Sequence, residues 1–161
     1  MAVEDKYVDS ALAAGNLGDR KTKGGGETTY LTQVVAVAAA DDDGSVYRLF
    51  TVTDNAIPVL VSSIAKISTA ITGGTGYTLG VYERGVGGVV VDADLFMTTT
   101  SFTSTGNKDA VVAVTADKVG QSIWELLGGT ASAGKQYDVC LTAATVGTVA
   151  GTVGVQLGFT S

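Results

Sequence analysis

The pattern of apolar and polar positions changes near residue 28. From there to the end of the chain, short runs rich in Thr, Val and Ile alternate in polarity and are separated by glycines, which is typical of β-strands. The runs predict strands at about 29–38, 46–53, 59–69, 77–83, 89–91, 111–114, 135–145 and 152–160. About eight short strands at this spacing indicate an all-β sandwich or barrel, and both jelly-roll-like and immunoglobulin-like sandwiches fit.

Strict alternation along each strand predicts which side chains share a face of the sheet. In 46–53 it puts Arg48 with Phe50, and in the next strand it puts Ser62 with Ile64. The candidate core residues are Tyr47, Phe50, Ile64, Ile67, Tyr77, Leu79, Val81, Tyr82, Trp124, Leu127, Val139 and Leu141.

Helical periodicity is confined to short segments. Residues 117–127 carry an apolar stripe that predicts one short helix, with Asp117 as its N-terminal cap and the Gly128-Gly129 pair as its end. Residues 92–97 are predicted to form a short helical turn, and residues 98–105 a loop or an exposed strand.

Residues 1–27 differ in composition from the rest of the chain. They are rich in charge, poor in bulky apolar side chains, and contain three consecutive glycines at 24–26, which resist regular structure. We therefore expect a flexible N-terminal arm at 1–27 and a β-sandwich domain at 28–161. The arm is either a disordered tail or a tether that orders on a partner. The candidate binding residues of the tether are Tyr7, Val8, Leu12, Leu17, Arg20, Lys21 and Lys23.

Composition limits the possible functions further. Only 16% of residues are charged, so Thr, Ser, Gly and Ala must cover much of the surface. Such side chains cost less to bury than ions do, which favours a surface partly covered by neighbouring molecules. The net charge of −6 repels phosphates, so nucleic acid and anionic membranes are not expected as partners. Residues 1–6 are not apolar, so no export signal is expected, and no apolar run is long enough to predict a membrane span.

The chain lacks the usual residues of catalysis. It has no histidine, which removes the commonest general base and metal ligand, and its one cysteine, Cys140, lies in an apolar strand pattern. We therefore expect no enzymatic activity, no cofactor and no metal. Residues 129–135 match the spacing of a phosphate-binding loop, but a strand rather than a helix is predicted to follow. Calcium binding by the acidic turn at 41–43 stays open.

The stretch from Ser45 to the end resembles the capsid decoration (cement) proteins of tailed bacteriophages. The resemblance lies in the order of these segments: 43–50 (DGSVYRLF), 55–58 (NAIP), 70–83 (AITGGTGYTLGVYE), 91–95 (VDADL), 137–142 (YDVCLT) and 147–153 (GTVAGTV). The arm and residues 98–105 have no counterpart in it.

The resemblance implies a non-enzymatic β-sandwich that binds the outside of a phage capsid and stabilises the shell. Its partners would be the major capsid protein and copies of itself, with a trimer favoured over a monomer or dimer. Its location would be the virion exterior, after assembly in the host cytoplasm. Two alternatives remain: a carbohydrate-binding or adhesion module, with Tyr7, Tyr30, Phe96 and Phe102 as candidate aromatic contacts, and a phage tail or collar component.

Overall fold

Two β-sheets lie face to face in the computed structural model, which describes residues 3–8 and 28–160. The strands are β1 Asp5–Tyr7, β2 Thr29–Val37, β3 Val46–Thr53, β4 Ile57–Thr69, β5 Thr75–Glu83, β6 Val90–Thr100, β7 Gly106–Asp109, β8 Gln136–Thr145 and β9 Gly151–Thr160. A 3₁₀ turn at Ala116–Lys118 and a short helix, α1 at Ile123–Leu126, lie between β7 and β8.

The strand order is that of a jelly roll. One sheet has the order β1-β3-β8-β5-β6 and the other the order β2-β9-β4-β7. Without β1, eight strands form two four-stranded sheets, and every connection except the β5–β6 hairpin crosses from one sheet to the other. The prediction of an all-β sandwich is confirmed, and of the two sandwich types that fit the sequence the protein adopts the jelly-roll-like one.

The core fills the space between the sheets. Of the twelve candidate core residues, eight are buried in it: Tyr47, Phe50, Ile67, Tyr77, Leu79, Val81, Val139 and Leu141. Tyr82 is also buried, but beside Arg48 on the outer face of the five-stranded sheet. The other three, Ile64, Trp124 and Leu127, are only half-buried. The stacked rings of Tyr77 and Phe102, with centroids 4.4 Å apart, add an aromatic pair that the alternation pattern did not single out.

A bulge in β3 overturns the predicted face of Arg48. The register with β8 shifts between Arg48 and Phe50, so that Phe50 faces the core beside Val139. Arg48 lies opposite Cys140 on the other face of the sheet. One extra residue reverses the alternation beyond it, which is why the sequence pattern wrongly grouped Arg48 with Phe50.

A second bulge reverses the alternation in β4. Ser62 has a φ of +66°, a left-handed conformation that is rare for a residue with a Cβ. Its carbonyl accepts a hydrogen bond from Nε2 of Gln156 at 2.9 Å. The hydroxyl of the adjacent Ser63 donates to the Val59 carbonyl and accepts from the amide of Gly158 at 3.1 Å. These bonds hold the bulge in place.

Three local predictions are wrong. Residues 92–97 belong to strand β6 rather than to a helical turn, and residues 111–114 lie in turns rather than in a strand. The single helix predicted at 117–127 is instead the 3₁₀ turn followed by α1, because Gly120 adopts a φ of +83° between them. The cap of α1 is Ser122, whose amide donates to the Glu125 carboxylate at 2.7 Å, rather than Asp117.

The N-terminal segment contributes a strand to the domain. β1 pairs in parallel with β3, and the amide of Val8 donates to the Arg48 carbonyl at 2.9 Å. Residues 9–27, the greater part of the predicted arm, lie outside the described residues. Among the described helices, none is long and apolar enough to cross a membrane.

Candidate functional site: the arginine network and the valine hairpin

A completely buried arginine lies on the outer face of the five-stranded sheet. Arg48 is 0% exposed, and β1 and β8 flank it on either side. Its Nε lies 2.6 Å from Oδ1 of Asp5, and its Nη1 lies 3.2 Å from Oδ2 of Asp138. We call Asp5, Tyr7, Arg48 and Asp138 the arginine network.

The guanidinium has a partner on each of its three nitrogens. Besides the two carboxylates, Nη1 donates to the Glu83 carbonyl at 3.0 Å and Nη2 to the Gly88 carbonyl at 3.3 Å. Burial disfavours the charge on Arg48, but the bonds to Asp5 and Asp138 outweigh it and raise its pKa. A buried charge with this many partners stays ionised, and loss of one of its carboxylates would leave part of that charge uncompensated.

The carboxylate of Asp138 is the second centre of the network. It accepts hydrogen bonds from the hydroxyl of Tyr7 at 2.7 Å, the hydroxyl of Thr51 at 2.8 Å and the amide of Gly85 at 3.0 Å. Burial and the bond to Asp138 raise the pKa of Tyr7 to about 12. The phenol therefore stays protonated and remains a donor at ordinary pH.

The two carboxylates of the network bind the backbone of the turn between β5 and β6. The amide of Gly87 donates a hydrogen bond to the Asp5 carboxylate at 2.7 Å, and the amide of Gly85 donates one to the Asp138 carboxylate at 3.0 Å. Gly88 comes so close to the Glu83 carbonyl that a Cβ would lie 2.1 Å from its oxygen. Only glycine fits at this approach, so the turn and its polar contacts specify one another.

This hairpin also carries several exposed apolar side chains. Four valines are exposed there: Val86 by 63%, Val89 by 64%, Val90 by 49% and Val91 by 40%. We call residues 84–91 the valine hairpin. A cluster of exposed apolar side chains on a rigid backbone is suited to docking on another protein rather than to chemistry.

The sequence-predicted arm residues divide into two groups. Tyr7 belongs to the arginine network, and Val8 packs against the core. Leu12, Leu17, Arg20, Lys21 and Lys23 lie outside the described residues.

Sequence reasoning missed the roles of Asp5, Arg48 and Asp138. One signal was present, because a lone arginine and a lone aspartate each interrupt an apolar strand, at positions 48 and 138. An isolated charge in a buried strand needs an opposite charge nearby, so the two could have been paired.

The acidic turn is tied into the protein. The carboxylate of Asp41 is buried and accepts a hydrogen bond from the Tyr47 hydroxyl at 2.7 Å, and Asp43 accepts one from the amide of Val146 at 2.9 Å. No group of three possible metal ligands converges within residues 3–8 and 28–160. These carboxylates therefore act as structural acceptors.

The loop with phosphate-loop spacing binds a carboxylate of its own chain. Asp54 accepts hydrogen bonds from the hydroxyl of Ser132 at 2.7 Å and the amide of Ala133 at 2.8 Å. Burial works against ionisation of Asp54, but these bonds outweigh it and lower its pKa. Strand β8 follows the loop, as the sequence predicted, so the helix that a phosphate loop requires is not there.

The aromatic residues considered for sugar binding do not form an exposed cluster. Phe96 and Phe102 are fully buried in the core, while Tyr7 belongs to the arginine network. Tyr30 is 42% exposed on the other sheet. That part of the carbohydrate-binding interpretation is wrong, because two of its four side chains pack between the sheets.

Fold and surface together define a jelly-roll β-sandwich whose exposed features are suited to protein contacts. No protein-family model matches the chain, and no curated protein matches it. A chain in the solved structure "Capsid of Ralstonia phage GP4" has a similar fold, with a TM-score of 0.61 and 15% sequence identity. The superposition covers 100% of the present chain and 98% of that one.

Proposed function

We propose that the protein is a non-enzymatic structural component of a phage virion that binds the outside of the capsid and stabilises the shell. The observation that carries the proposal is the similarity of fold over nearly the full length of both chains to a chain of a phage capsid structure. Jelly rolls serve many functions, so the proposal also draws on the surface of this chain.

The surface favours binding to a protein. The chain has few charges, and the valine hairpin presents four exposed valines on a backbone that Arg48 and two carboxylates hold in place. A rigid apolar loop loses little conformational entropy when it docks. We assign this hairpin to the contact with the major capsid protein.

Stabilisation of the shell would follow from repetition. A single small contact is weak, but many copies bound across a lattice act together through avidity. Residues 9–27 of the predicted arm would add reach, since these 19 residues join Val8 to Thr28 and an extended chain spans at most about 3.5 Å per residue. Contacts between neighbouring copies of this chain at a symmetry axis of the capsid would add to the same avidity.

Copy number tests the proposal. Virions of the source that encodes this chain would be purified, and the chain counted relative to the major capsid protein by quantitative mass spectrometry. A ratio near one, or a simple fraction of it, is the expected result for a lattice-bound decoration protein. A handful of copies would assign the chain to the tail or collar, and absence from particles would overturn the virion role.

The valine hairpin can be tested separately. Val86→Ser with Val89→Ser should weaken binding to particles that lack the protein by about tenfold or more, because two apolar contacts are lost. Val112→Ser with Val119→Ser is the matched control, since those valines are 52% and 54% exposed elsewhere on the surface. Equal binding by both double variants would overturn the assignment of the hairpin.

A test of the tether role of the arm must leave β1 intact. Removing residues 1–23 would also remove Asp5 and leave Arg48 without half of its ion pairs. Replacing Leu12, Leu17, Arg20, Lys21 and Lys23 with serine leaves β1, the arginine network and the length of the connection to β2 unchanged. Weaker occupancy of the capsid is expected, and unchanged occupancy would contradict the tether role.

A further inference from the structure

The N-terminal strand β1 is bound by contacts that a separate peptide could also make. Its three residues are half-buried and pair in parallel with the edge of β3. The amide of Val46 donates to the Glu4 carbonyl at 2.6 Å, and the amide of Val8 donates to the Arg48 carbonyl at 2.9 Å. None of the buried core residues lies in β1. The strand is therefore added to the edge of a sheet whose core does not depend on it, which is how many domains bind an extended peptide.

Two side chains of β1 are recognised specifically. Asp5 binds Arg48 with both carboxylate oxygens, since Oδ1 accepts from Nε at 2.6 Å and Oδ2 accepts from Nη2 at 3.1 Å. The hydroxyl of Tyr7 donates to Oδ2 of Asp138 at 2.7 Å. Side chains two residues apart on a strand share a face, and a bidentate arginine–carboxylate pair fixes the geometry. We call Arg48, Asp138 and the edge of β3 the β1 site.

The β1 site is unfavourable to leave empty. Arg48 is completely buried with β1 in place, and Asp5 is one of its two carboxylate partners. Departure of Asp5 would leave the guanidinium with Asp138 as its one carboxylate, and the amide of Gly87 would lose its acceptor. A charge that loses a partner in this way is strongly destabilising. The site therefore favours any occupant that supplies the same two side chains at the same spacing.

The sequence identifies that occupant. Six tyrosines occur in the chain, and Tyr7 is the one that follows an aspartate by two residues. Every copy of the chain carries this segment. The 19 residues from 9 to 27, which join Val8 to Thr28, span at most about 70 Å when extended. This length exceeds the diameter of a small domain, about 30 Å, so the strand can reach a neighbouring copy.

We propose that the β1 site exchanges its occupant, and that β1 of a second copy of this chain replaces the chain's own strand when copies are held close together. Exchange substitutes each contact of the chain's own strand by the same contact from the neighbour, so no interaction is lost. The partner copy then contributes the carboxylate that neutralises the buried arginine. This proposal does not depend on the capsid role.

Local concentration decides which strand occupies the site. The covalent connection gives the chain's own strand an effective concentration of the order of millimolar. Copies packed side by side in an assembly reach similar concentrations, whereas copies in dilute solution do not. We therefore expect the chain's own strand to occupy the site in dilute solution, and exchange between chains at millimolar concentration.

Binding of a peptide to the full chain tests the site. A fluorescent peptide with the sequence of residues 1–8, MAVEDKYV, is titrated with the wild-type chain and with the variants Asp5→Asn and Tyr7→Phe, and the anisotropy is recorded. Both variants should bind the peptide more tightly than the wild type does, by about tenfold or more for Asp5→Asn, because their own strands compete less well. Circular dichroism establishes that each variant is folded, and Tyr7→Phe retains the ion pair with Arg48.

Variants of the peptide test the recognition. The substitution Asp5→Asn in the peptide should weaken its binding to the variant chains by about tenfold or more. Val3→Ser in the peptide is the matched control, since Val3 is 62% exposed, and it should leave binding unchanged. No saturable binding to a folded variant, or equal binding by the Asp5→Asn peptide and the unmodified one, would overturn the site.

Exchange between full chains is measured on the wild-type protein, which no folding defect can affect. Equal amounts of isotope-labelled and unlabelled chains are mixed at millimolar concentration, and isotope-filtered nuclear Overhauser effects are recorded between β1 and β3. Effects between labelled and unlabelled chains are the expected result, and they should fade on dilution. The same effects within a uniformly labelled sample are the positive control. Their absence between chains would overturn the second copy as the occupant, even if the peptide binds.

Discussion

Nε of Arg48 lies 2.6 Å from Oδ1 of Asp5, and this ion pair joins the parallel strands β1 and β3 through two residues that are 43 positions apart in the sequence. Asp5 also accepts a hydrogen bond from the amide of Gly87 in the valine hairpin. One carboxylate from the N-terminal segment therefore neutralises a buried charge and holds the loop that we assign to binding. The N-terminal strand is part of the site rather than an appendage.

Removing the charge of Asp5 should loosen both elements. Asp5→Asn leaves the buried Arg48 with one carboxylate, and we expect the free energy of unfolding to fall by about 1–3 kcal/mol. Amide exchange should become faster in residues 5–8 and 85–88. Glu83→Gln is the matched control, because Glu83 takes part in the network through its backbone carbonyl. Equal effects of the two substitutions would show that net charge, not the ion pair, is responsible.

The carboxylate of Asp5 should make the free energy of unfolding depend on pH. Burial alone would raise the pKa of Asp5, but the bonds from Arg48 and Gly87 outweigh it and hold the pKa below the ordinary value of 3.8. A lowered folded-state pKa means that the contribution is complete above about pH 4 and is lost as the pH falls through the folded pKa.

Denaturant unfolding at a series of pH values tests this linkage. The stability difference between the wild type and Asp5→Asn should shrink as the pH falls below about 4. A difference that stays constant down to the lowest pH at which the protein folds would contradict the assignment to Asp5.

The sequence predicted those elements whose own residues determine them. Strand 46–53 has the predicted bounds because β-branched and aromatic residues fill it and Gly44 precedes it. The segment 117–127 does not form one helix, because Gly120 adopts a left-handed conformation that separates the 3₁₀ turn from α1. The apolar periodicity of the segment gives no sign of this break. Val119, an apolar residue of that segment, is 54% exposed and does not belong to the core.

Local patterns could have paired Arg48 with Asp138, but they could not have predicted the complete arginine network. It depends on β1, a three-residue polar strand with no apolar alternation, and on a bulge that turns Arg48 to the face of Asp138. Both arise from pairing between distant segments. Periodicity describes one segment at a time, so it cannot supply a register shift or a parallel edge strand.

Ser62 offers a test of the bulge in β4. Its φ of +66° costs a residue with a Cβ about 1–2 kcal/mol. Ser62→Gly should relieve this strain and, after the entropy of glycine is subtracted, stabilise the protein by about 0.5 kcal/mol. Ser68→Gly, in the same strand at a position without a positive φ, should instead destabilise it. Thermal unfolding of the two variants measures the sign, and destabilisation by both would argue against the strained bulge.

Two strand glycines provide the sharpest contrast in packing. β6 has extra residues opposite β5 between its pairs Leu79↔Met97 and Val81↔Asp92, and this arch crosses directly over Gly80. A Cβ on Gly80 would lie 2.0 Å from the carbonyl oxygen of Asp92, a contact with backbone that cannot move aside cheaply. Gly80→Ala should therefore cost about 2–3 kcal/mol or more.

Gly154→Ala is the matched control for this substitution. A Cβ on Gly154 would meet only the Lys66 carbonyl, at 3.9 Å, so alanine fits there without strain. It should be neutral or stabilise the protein by up to about 1 kcal/mol, because alanine restricts the unfolded chain more than glycine does. Chemical denaturation of both variants gives the comparison. Similar stabilities for the two would mean that the β6 arch does not press on Gly80 in solution, and the path of residues 92–96 over the sheet would have to be revised.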